Sequence, residues 1–392
     1  MEIKNLELLK NSPSIIFITT HSWDGLQYFA HHFSRFLDCN GFQVFFIEKS
    51  PQRWPKKIIP DLFDWLRKRK QLASKTFTNN NIHIITPRWL PPAKWLRILN
   101  RFIIKRDVNK INRLRVNGSS PPILIIFPPT YNAIDFIDLI HPKATAYINN
   151  FNYEANNVMR DLLKSEIVIL SRCNAFYGLT NFCSNRIKSL APMNTTYTCP
   201  PGVNYNLFHQ AFRGDESIVC KTAFYFGGIG YHLDLSVYDA LADSGIHVVM
   251  DGIVDPSIKD RLNTKFEIRP PSTHSQLPTI LREADILIIA YKNTEYMKGV
   301  FPAKFYECLA TGKPLLVSGL PELTPFYDVV YNIDGSGNKA IEVVNRLSET
   351  ETPERIYKRN LIAQEADWSN RFETFLLQFN EQYMQTRKER SD

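Results

Sequence analysis

A chain of 392 residues exceeds what a single hydrophobic core usually serves, so two domains of about 200 residues each are expected. Its composition, 44% hydrophobic and 22% charged without a long charge block, excludes a disordered chain, and the net charge of +8 favours phosphate-bearing partners. Met1 to Pro13 lacks a secretory pattern, no run reaches the roughly 20 apolar residues of a membrane span, and the six cysteines form no CxxC pair or zinc spacing, so a cytoplasmic protein with free thiols is expected.

In chain order, Ser14 to Thr19 reads as a buried strand, Gly25 to Cys39 as a helix stopped by Asn40-Gly41, and Gln43 to Ile47 as a second strand. Strand, helix and strand with short links mark a parallel crossover, hence an α/β fold. Further strands are expected at Ile82 to Ile85, Ile123 to Phe127, Thr145 to Ile148 and Ile167 to Leu170, with helices over Asn132 to His141 and Glu154 to Ser165. The proline-marked stretch Cys199 to Phe208 breaks this rhythm and places a domain boundary. Strands then resume at Thr222 to Phe226, His247 to Met250, Phe266 to Ile268, Ile286 to Ile289 and Leu315 to Val317, with helices over Asp234 to Ser244 and Pro302 to Thr311. Trp368, Phe372, Phe375, Leu376 and Phe379 recur at helical spacing in a closing amphipathic helix.

Between the third and fourth strands, Arg88 to Arg106 is basic and aromatic. Trp95, Ile98, Leu99, Phe102 and Ile103 fall on one helical face, beside Lys94, Arg97, Arg101 and Lys105. Two readings stand: the face lies in the headgroup layer of an anionic membrane, or it packs on the N-terminal sheet. The run Arg67 to Lys70 adds charge that reads as solvated surface. The cations cluster on this one helix instead of interleaving with stacking platforms, which argues against nucleic-acid binding. Arg213-Gly-Asp215 is assigned no role.

Ligands of open α/β sheets bind at the carboxyl ends of the strands. In the second half, the loop Phe226 to Gly230 has glycines that let a backbone approach a phosphate, or that simply make a turn. Tyr291 to Pro314 is the stronger cluster. Amides of Gly299, Val300 and Phe301 ahead of a helix starting at Pro302 would form a diphosphate site, Lys298 or Lys304 would add charge, and Glu307 would bind ribose hydroxyls. No Asp-x-Asp motif is present, so metal-independent chemistry without a cofactor is expected, and the full GxGxxG fingerprint of nicotinamide binding is missing.

These residues resemble the GT-B glycosyltransferases, close to family 4 and to enzymes of bacterial teichuronic acid and capsule synthesis. The resemblance rests on Trp23-Asp24, Pro201 to Phe208, Gly228 to Asp234, Leu277 to Tyr291 and above all Pro302 to Pro314. It implies two Rossmann-like domains with parallel sheets facing a central cleft: an acceptor domain over 1–205, a nucleotide-sugar domain over 206–365, and a C-terminal helix over 366–392 crossing back. It also implies that Glu307 binds the donor ribose, that Gly299 to Phe301 hold the diphosphate, that Gly227 and Gly228 line the phosphates and that Tyr291 borders the base. The implied partners are a nucleotide-sugar donor and a lipid-linked or glycan acceptor at the inner face of a membrane.

Three positions depart from the pattern. The second acid that relatives carry eight residues before Glu307 is Gly299, the Arg and Lys beside the glycine loop are Tyr231, His232 and Asp234, and an acidic motif near Tyr147 is Asn149 to Glu154. A binding protein without turnover and a nucleotide-sugar epimerase are the alternatives. His21 and Asp24 are the candidates for the acceptor's proton, Asp24 reading equally as a helix cap, and His31 and His32 as packing or surface residues.

Overall fold

The computed structural model describes residues 3–11, 13–52, 77–79, 81–116, 120–155, 162–214 and 220–389, so the run Arg67 to Lys70, Asp215 and the middle of the expected 154–165 helix lie outside the described residues. The chain divides into two compact units, Met1–Pro200 with Arg371–Asp392, and Pro201–Asn370.

The first unit is built on eight strands: β1 (Ile15–Ile18), β2 (Val44–Ile47), β3 (Phe77–Asn79), β4 (Ile82–Ile85), β5 (Ile123–Ile126), β6 (Ala144–Asn149), β7 (Ala175–Gly178) and β8 (Thr196–Thr198). Their order is β3-β4-β2-β1-β5-β6-β7-β8, parallel except for β3 against β4. β1 sits at the centre, Ile15 pairing with both Val44 and Ile123. Its four residues, Ile-Ile-Phe-Ile, are all buried, as expected of a parallel strand covered on both faces. The helices are α1 (Phe29–Cys39), α2 (Arg97–Leu114), α3 (Tyr131–Ile140), α4 (Leu162–Leu170) and α5 (Asn181–Leu190).

The second unit has a six-stranded, wholly parallel sheet ordered β11-β10-β9-β12-β13-β14, from β9 (Thr222–Phe226), β10 (His247–Asp251), β11 (Glu267–Arg269), β12 (Ile286–Ala290), β13 (Leu315–Ser318) and β14 (Tyr331–Asn332). Around it lie α6 (Tyr205–Phe208), α7 (Leu235–Asp243), α8 (Leu277–Leu281), α9 (Phe305–Ala310), α10 (Gly337–Asn345), α11 (Leu347–Thr350) and α12 (Pro353–Glu365). Two parallel-sheet, Rossmann-like halves agree with the expected fold class. No helix among the described residues is long and apolar enough to cross a membrane.

Several elements differ from expectation. Ile167 to Leu170 is the end of α4, and the strand follows at β7. Four apolar residues fit either period, and the burial of Ser165, Glu166, Ile169 and Leu170 follows the helical one. α1 begins at Phe29, because the Tyr28 amide donates to His31 Nδ1 (3.1 Å) at the N-cap; Asp24 lies short of the helix and does not cap it. α9 begins at Phe305, not Pro302.

The closing helix α13 (Trp368–Glu389) buries Phe372, Phe375, Leu376 and Phe379. Within the first unit Phe372 stacks on Phe33 at 4.5 Å and Phe375 on Tyr177 at 4.0 Å, while Asn380 Oδ1 accepts from the Leu8 amide (2.8 Å). Replacing Phe375 by Ala removes contacts with Phe29, Phe33 and Tyr177 and should cost about 3–5 kcal/mol, whereas Met384→Ala on the exposed face should be nearly neutral. Thermal unfolding of the two variants checks this, and equal melting temperatures would show that α13 does not support the first unit.

Candidate functional site

The second unit gathers its polar groups where β9, β10 and β12 end. Lys304, the N-cap residue of α9, sends its ammonium to the carbonyl oxygen of Phe226, the last residue of β9, and lies 4.0 Å from the centroid of the Tyr225 ring. Burial pushes its pKa down to about 8. Gly227 follows at φ +114°, and a Cβ there would lie 2.5 Å from Lys304 Nζ. A side chain at this position would therefore both strain the backbone and evict the cation. Lys304, 78 residues from Phe226 in sequence, thus brings a cation to the glycine loop.

The loop is held from below. The Gly227 amide donates to Asp251 O (2.8 Å), and a Cβ on Gly252 would fall 1.7 Å from Gly227 O. Tyr225 donates its hydroxyl to Gly228 O (2.7 Å) and lies 3.3 Å from His232 Nε2. Burial, aided by Lys304, lowers the His232 pKa to about 4, so the imidazole is neutral at pH 7. Tyr291 is buried edge-on to His232 at 4.8 Å and its phenol is pushed up to about 12; it forms part of the loop's floor instead of an open wall.

Glu307 lies one turn beyond Lys304 and is half-buried. Its Oε1 accepts from His274 Nε2 at 2.9 Å, and His274 packs edge-on to Phe208. The segment carrying His274 is pinned by buried Asp251, which accepts from the Ser272 amide (2.9 Å) and hydroxyl (2.6 Å). Neither His274 nor Asp251 was legible as a site residue, since nothing in sequence links them to Glu307; a His beside a candidate ligand carboxylate is visible only once the loop after β11 meets α9.

Other expected residues fall differently. Lys298 pairs with Glu295 (2.6 Å) on an exposed turn. The Val300 amide donates to Met297 O (3.1 Å), so it is committed within the turn Tyr296–Gly299 instead of facing an anion, and α9 starts four residues past Phe301. Lys304 joins Gly227 and Gly228, with Glu307 one turn on; Gly299 and Val300 end the preceding turn, and Phe301 packs on Tyr306 and Phe305. The motif Thr311 to Pro314 is structural: Lys313 Nζ caps the carbonyls of Arg282 (3.2 Å) and Ala284, and buried Arg359 donates to Gly312 O (2.9 Å) while paired with Glu351.

In the first unit His21 follows β1, its ring stacked on Tyr28 at 3.8 Å. Burial, then His31, lowers its pKa to about 4, leaving a neutral, weakly basic imidazole at pH 7. Asp24 is exposed. His31 is buried, its Nε2 3.0 Å from Ser22 O, and packs as one of the two readings expected. The loop is fixed by buried Glu48, which accepts from the Trp23 amide (2.8 Å) and the Thr86 hydroxyl (2.5 Å). The stretch Asn149 to Glu154 adjoins a buried network in which Glu166 takes both Arg186 terminal nitrogens (2.8 Å each) and the Tyr147 hydroxyl (2.6 Å).

The expected apolar face is exposed: Trp95, in the 3-10 turn just ahead of α2, is 73%, and Ile98 and Phe102 on α2 are 76% and 71% accessible. The buried side is Asn100, Ile104, Val108 and Ile111, with Asn100 Nδ2 bonded to Leu90 O (3.1 Å) and Asn132 Oδ1 (3.0 Å). Arg97 and Arg101 both pair with buried Asp135 (2.9 and 3.2 Å).

No family model matches the chain. It is 25% identical over 232 residues, 54% of its length, to a Bacillus subtilis protein assigned as the teichuronic acid biosynthesis glycosyltransferase TuaH, and the match spans 58% of that relative. Among solved structures it resembles a Rickettsia africae glycosyltransferase (TM-score 0.65, 13% identity, 95% of this chain and 99% of that one). It also resembles an E. coli trehalose-6-phosphate structure bound with UDP-2-fluoro glucose (0.63, 10%, 94% and 99%) and Anabaena HepE in complex with UDP (0.59, 11%, 96% and 100%). The fold is that of the GT-B glycosyltransferases. Its glycine loop makes a contrast that can be measured: Gly252→Ala, which would overlap Gly227 O, should lower stability by about 1–3 kcal/mol, while Gly228→Ala, with nothing within 4 Å, should melt nearly as the unmodified protein does.

Proposed function

We propose that this chain is a glycosyltransferase that binds a nucleotide-sugar in its second unit and transfers the sugar to a lipid-linked or glycan acceptor, in the assembly of a cell-surface polysaccharide at the inner face of a bacterial membrane. The observation that carries the reading is the placement of the Lys304 ammonium beside the Gly227-Gly228 backbone, one turn from the Glu307 carboxylate held by His274. A cation over an open glycine loop suits a diphosphate, and a carboxylate a few ångströms on suits a pair of ribose hydroxyls. The UDP-bound neighbours and the B. subtilis relative support the same donor and pathway.

As the bond between the sugar and the diphosphate breaks, negative charge builds on the leaving phosphate, and a fixed ammonium stabilises that charge without reorganising. Lys304 takes this part, in a reaction that needs no metal. The acceptor proton is assigned to Asp24 or His21, both in the loop that follows β1; Asp24 is exposed, and His21 is a neutral imidazole at pH 7. The exposure of Trp95, just ahead of α2, and of Ile98 and Phe102 on it supports docking at a membrane surface, whereas Arg97 and Arg101 share the single carboxylate of Asp135.

Thermal unfolding against UDP, GDP, CMP, dTDP and their sugars, with a metal chelator present, tests the donor reading. Saturation at about 100 times Kd adds about 2.7 kcal/mol, a rise of several degrees, and Glu307→Ala should abolish it; no shift with any nucleotide would remove the donor site. A selective shift without sugar transfer would establish the binding protein instead.

The sign of the pH dependence follows from Lys304. Its pKa in the fold, about 8, lies below the ordinary lysine value, and a bound diphosphate favours the protonated form. Donor affinity should therefore be full below pH 8 and fall as pH rises past it. Lys304→Met should weaken binding roughly 10- to 100-fold and leave it flat across that range. Calorimetric titration from pH 6.5 to 9 reads both, and a slope that survives in the Met variant would assign it to another group.

A further inference from the structure

The cations of α2 fall into two groups. In its first half Arg97 and Arg101 are engaged by Asp135, and Arg101 also approaches Asp138 at 3.8 Å. In its second half Lys105, Arg106, Lys110 and Arg113 line a surface cavity of about 490 Å³ together with Arg88 and a single carboxylate, Asp107. Asp107 Oδ2 accepts from the Trp89 indole (2.9 Å), which fixes it as part of the wall. Among the described residues, the lining carries five cations and one carboxylate.

Beside Asn109, the rest of the described lining is apolar, from Phe102 and Ile103. Counting from Phe102, the cationic positions fall at i+3, i+4, i+8 and i+11, so they share its helix face. Counting back, Leu99 and Ile98 lie at i−3 and i−4 on that same stripe, more than half exposed. One face of a single helix is therefore apolar along its first half and cationic along its second.

We propose that this stripe is a lipid site, in which a phosphate monoester or diphosphate headgroup sits in the cavity among Arg88, Lys105, Arg106, Lys110 and Arg113 while its hydrocarbon chain lies along Phe102, Leu99 and Ile98. Charge complementarity selects the headgroup, and the apolar continuation selects a lipid over a soluble phosphate, which would leave Phe102, Leu99 and Ile98 in water. A terminal phosphate matches several converging guanidinium and ammonium donors better than a carboxylate headgroup does. The proposal rests on the membrane reading given above and adds the chemistry that the membrane must present. It is independent of the donor site, which belongs to the other unit.

Sedimentation of the full chain with vesicles tests it. The vesicles are phosphatidylcholine alone, or phosphatidylcholine carrying phosphatidic acid or phosphatidylserine at matched surface charge. The unmodified chain should favour the phosphatidic acid vesicles. The triple variant R106Q/K110Q/R113Q should bind them roughly 100-fold more weakly, at roughly fivefold for each cation, and lose the preference, with nucleotide-induced melting shifts retained. Should the triple variant fail to fold, Lys105→Gln alone should show its single fivefold loss. Equal binding to the two charged vesicles, or a preference that survives the triple variant, would overturn the headgroup pocket while leaving membrane docking intact. Binding of inorganic pyrophosphate at these residues without any vesicle binding would overturn the lipid as its source. Absence of all vesicle binding would remove the membrane reading and this site with it.

Discussion

The candidate donor site depends on one contact, the Lys304 ammonium resting on the carbonyl of Phe226 and over the face of Tyr225. A cation withdrawn from water is costly unless its donors are used, and one carbonyl and a π face satisfy it only in part. The lowered pKa near 8 is the measure of that deficit. An anion arriving at the glycine loop would complete the coordination. The contact also ties α9 to the end of β9, so that Glu307 stands at a fixed distance from the loop, and it demands glycine at 227.

What surrounds this contact is rigid. Asp251 holds the Gly227 amide through its carbonyl and Ser272 through its carboxylate, which ties the glycine loop to the segment leading to His274. Behind α9, Arg359 and Lys313 spend their charges on backbone carbonyls and on Glu351, closing the turn into β13. Positioning of this kind, with polar side chains locking backbone, is what preorganises charge for a leaving diphosphate.

The parallel strands were legible because a strand buried on both faces is written as an unbroken apolar run, as in Ile15 to Ile18 and Ile286 to Ala290. The same signature misleads at Ile167 to Leu170, where an apolar run belongs to α4 and the buried Glu166 beside it serves Arg186. On α2 the periodicity correctly marked an apolar face but not which side faces inward. Asn100 turns the helix over: a polar residue bonded to Leu90 and Asn132 occupies the buried stripe, and leaves Ile98 and Phe102 outside. In the site, Gly227, Lys304 and Glu307 stood out by residue type and spacing. Their partners Tyr225, Asp251 and His274 did not, because hydrogen bonds across 33 residues, as between His274 and Glu307, leave no mark in local sequence. The anion site drawn from the Gly299 to Phe301 amides assumed a helix beginning at Pro302; the turn through Tyr296–Gly299 uses the Val300 amide first.

Amide hydrogen exchange of the full chain, with and without a saturating nucleoside diphosphate, measures the central claim directly. If the Lys304 contact is completed by the ligand, protection should rise in residues 226–230, 272–274 and 302–308 and little elsewhere in the second unit. Unchanged exchange in those three segments, with protection gained at another sheet edge, would contradict the account.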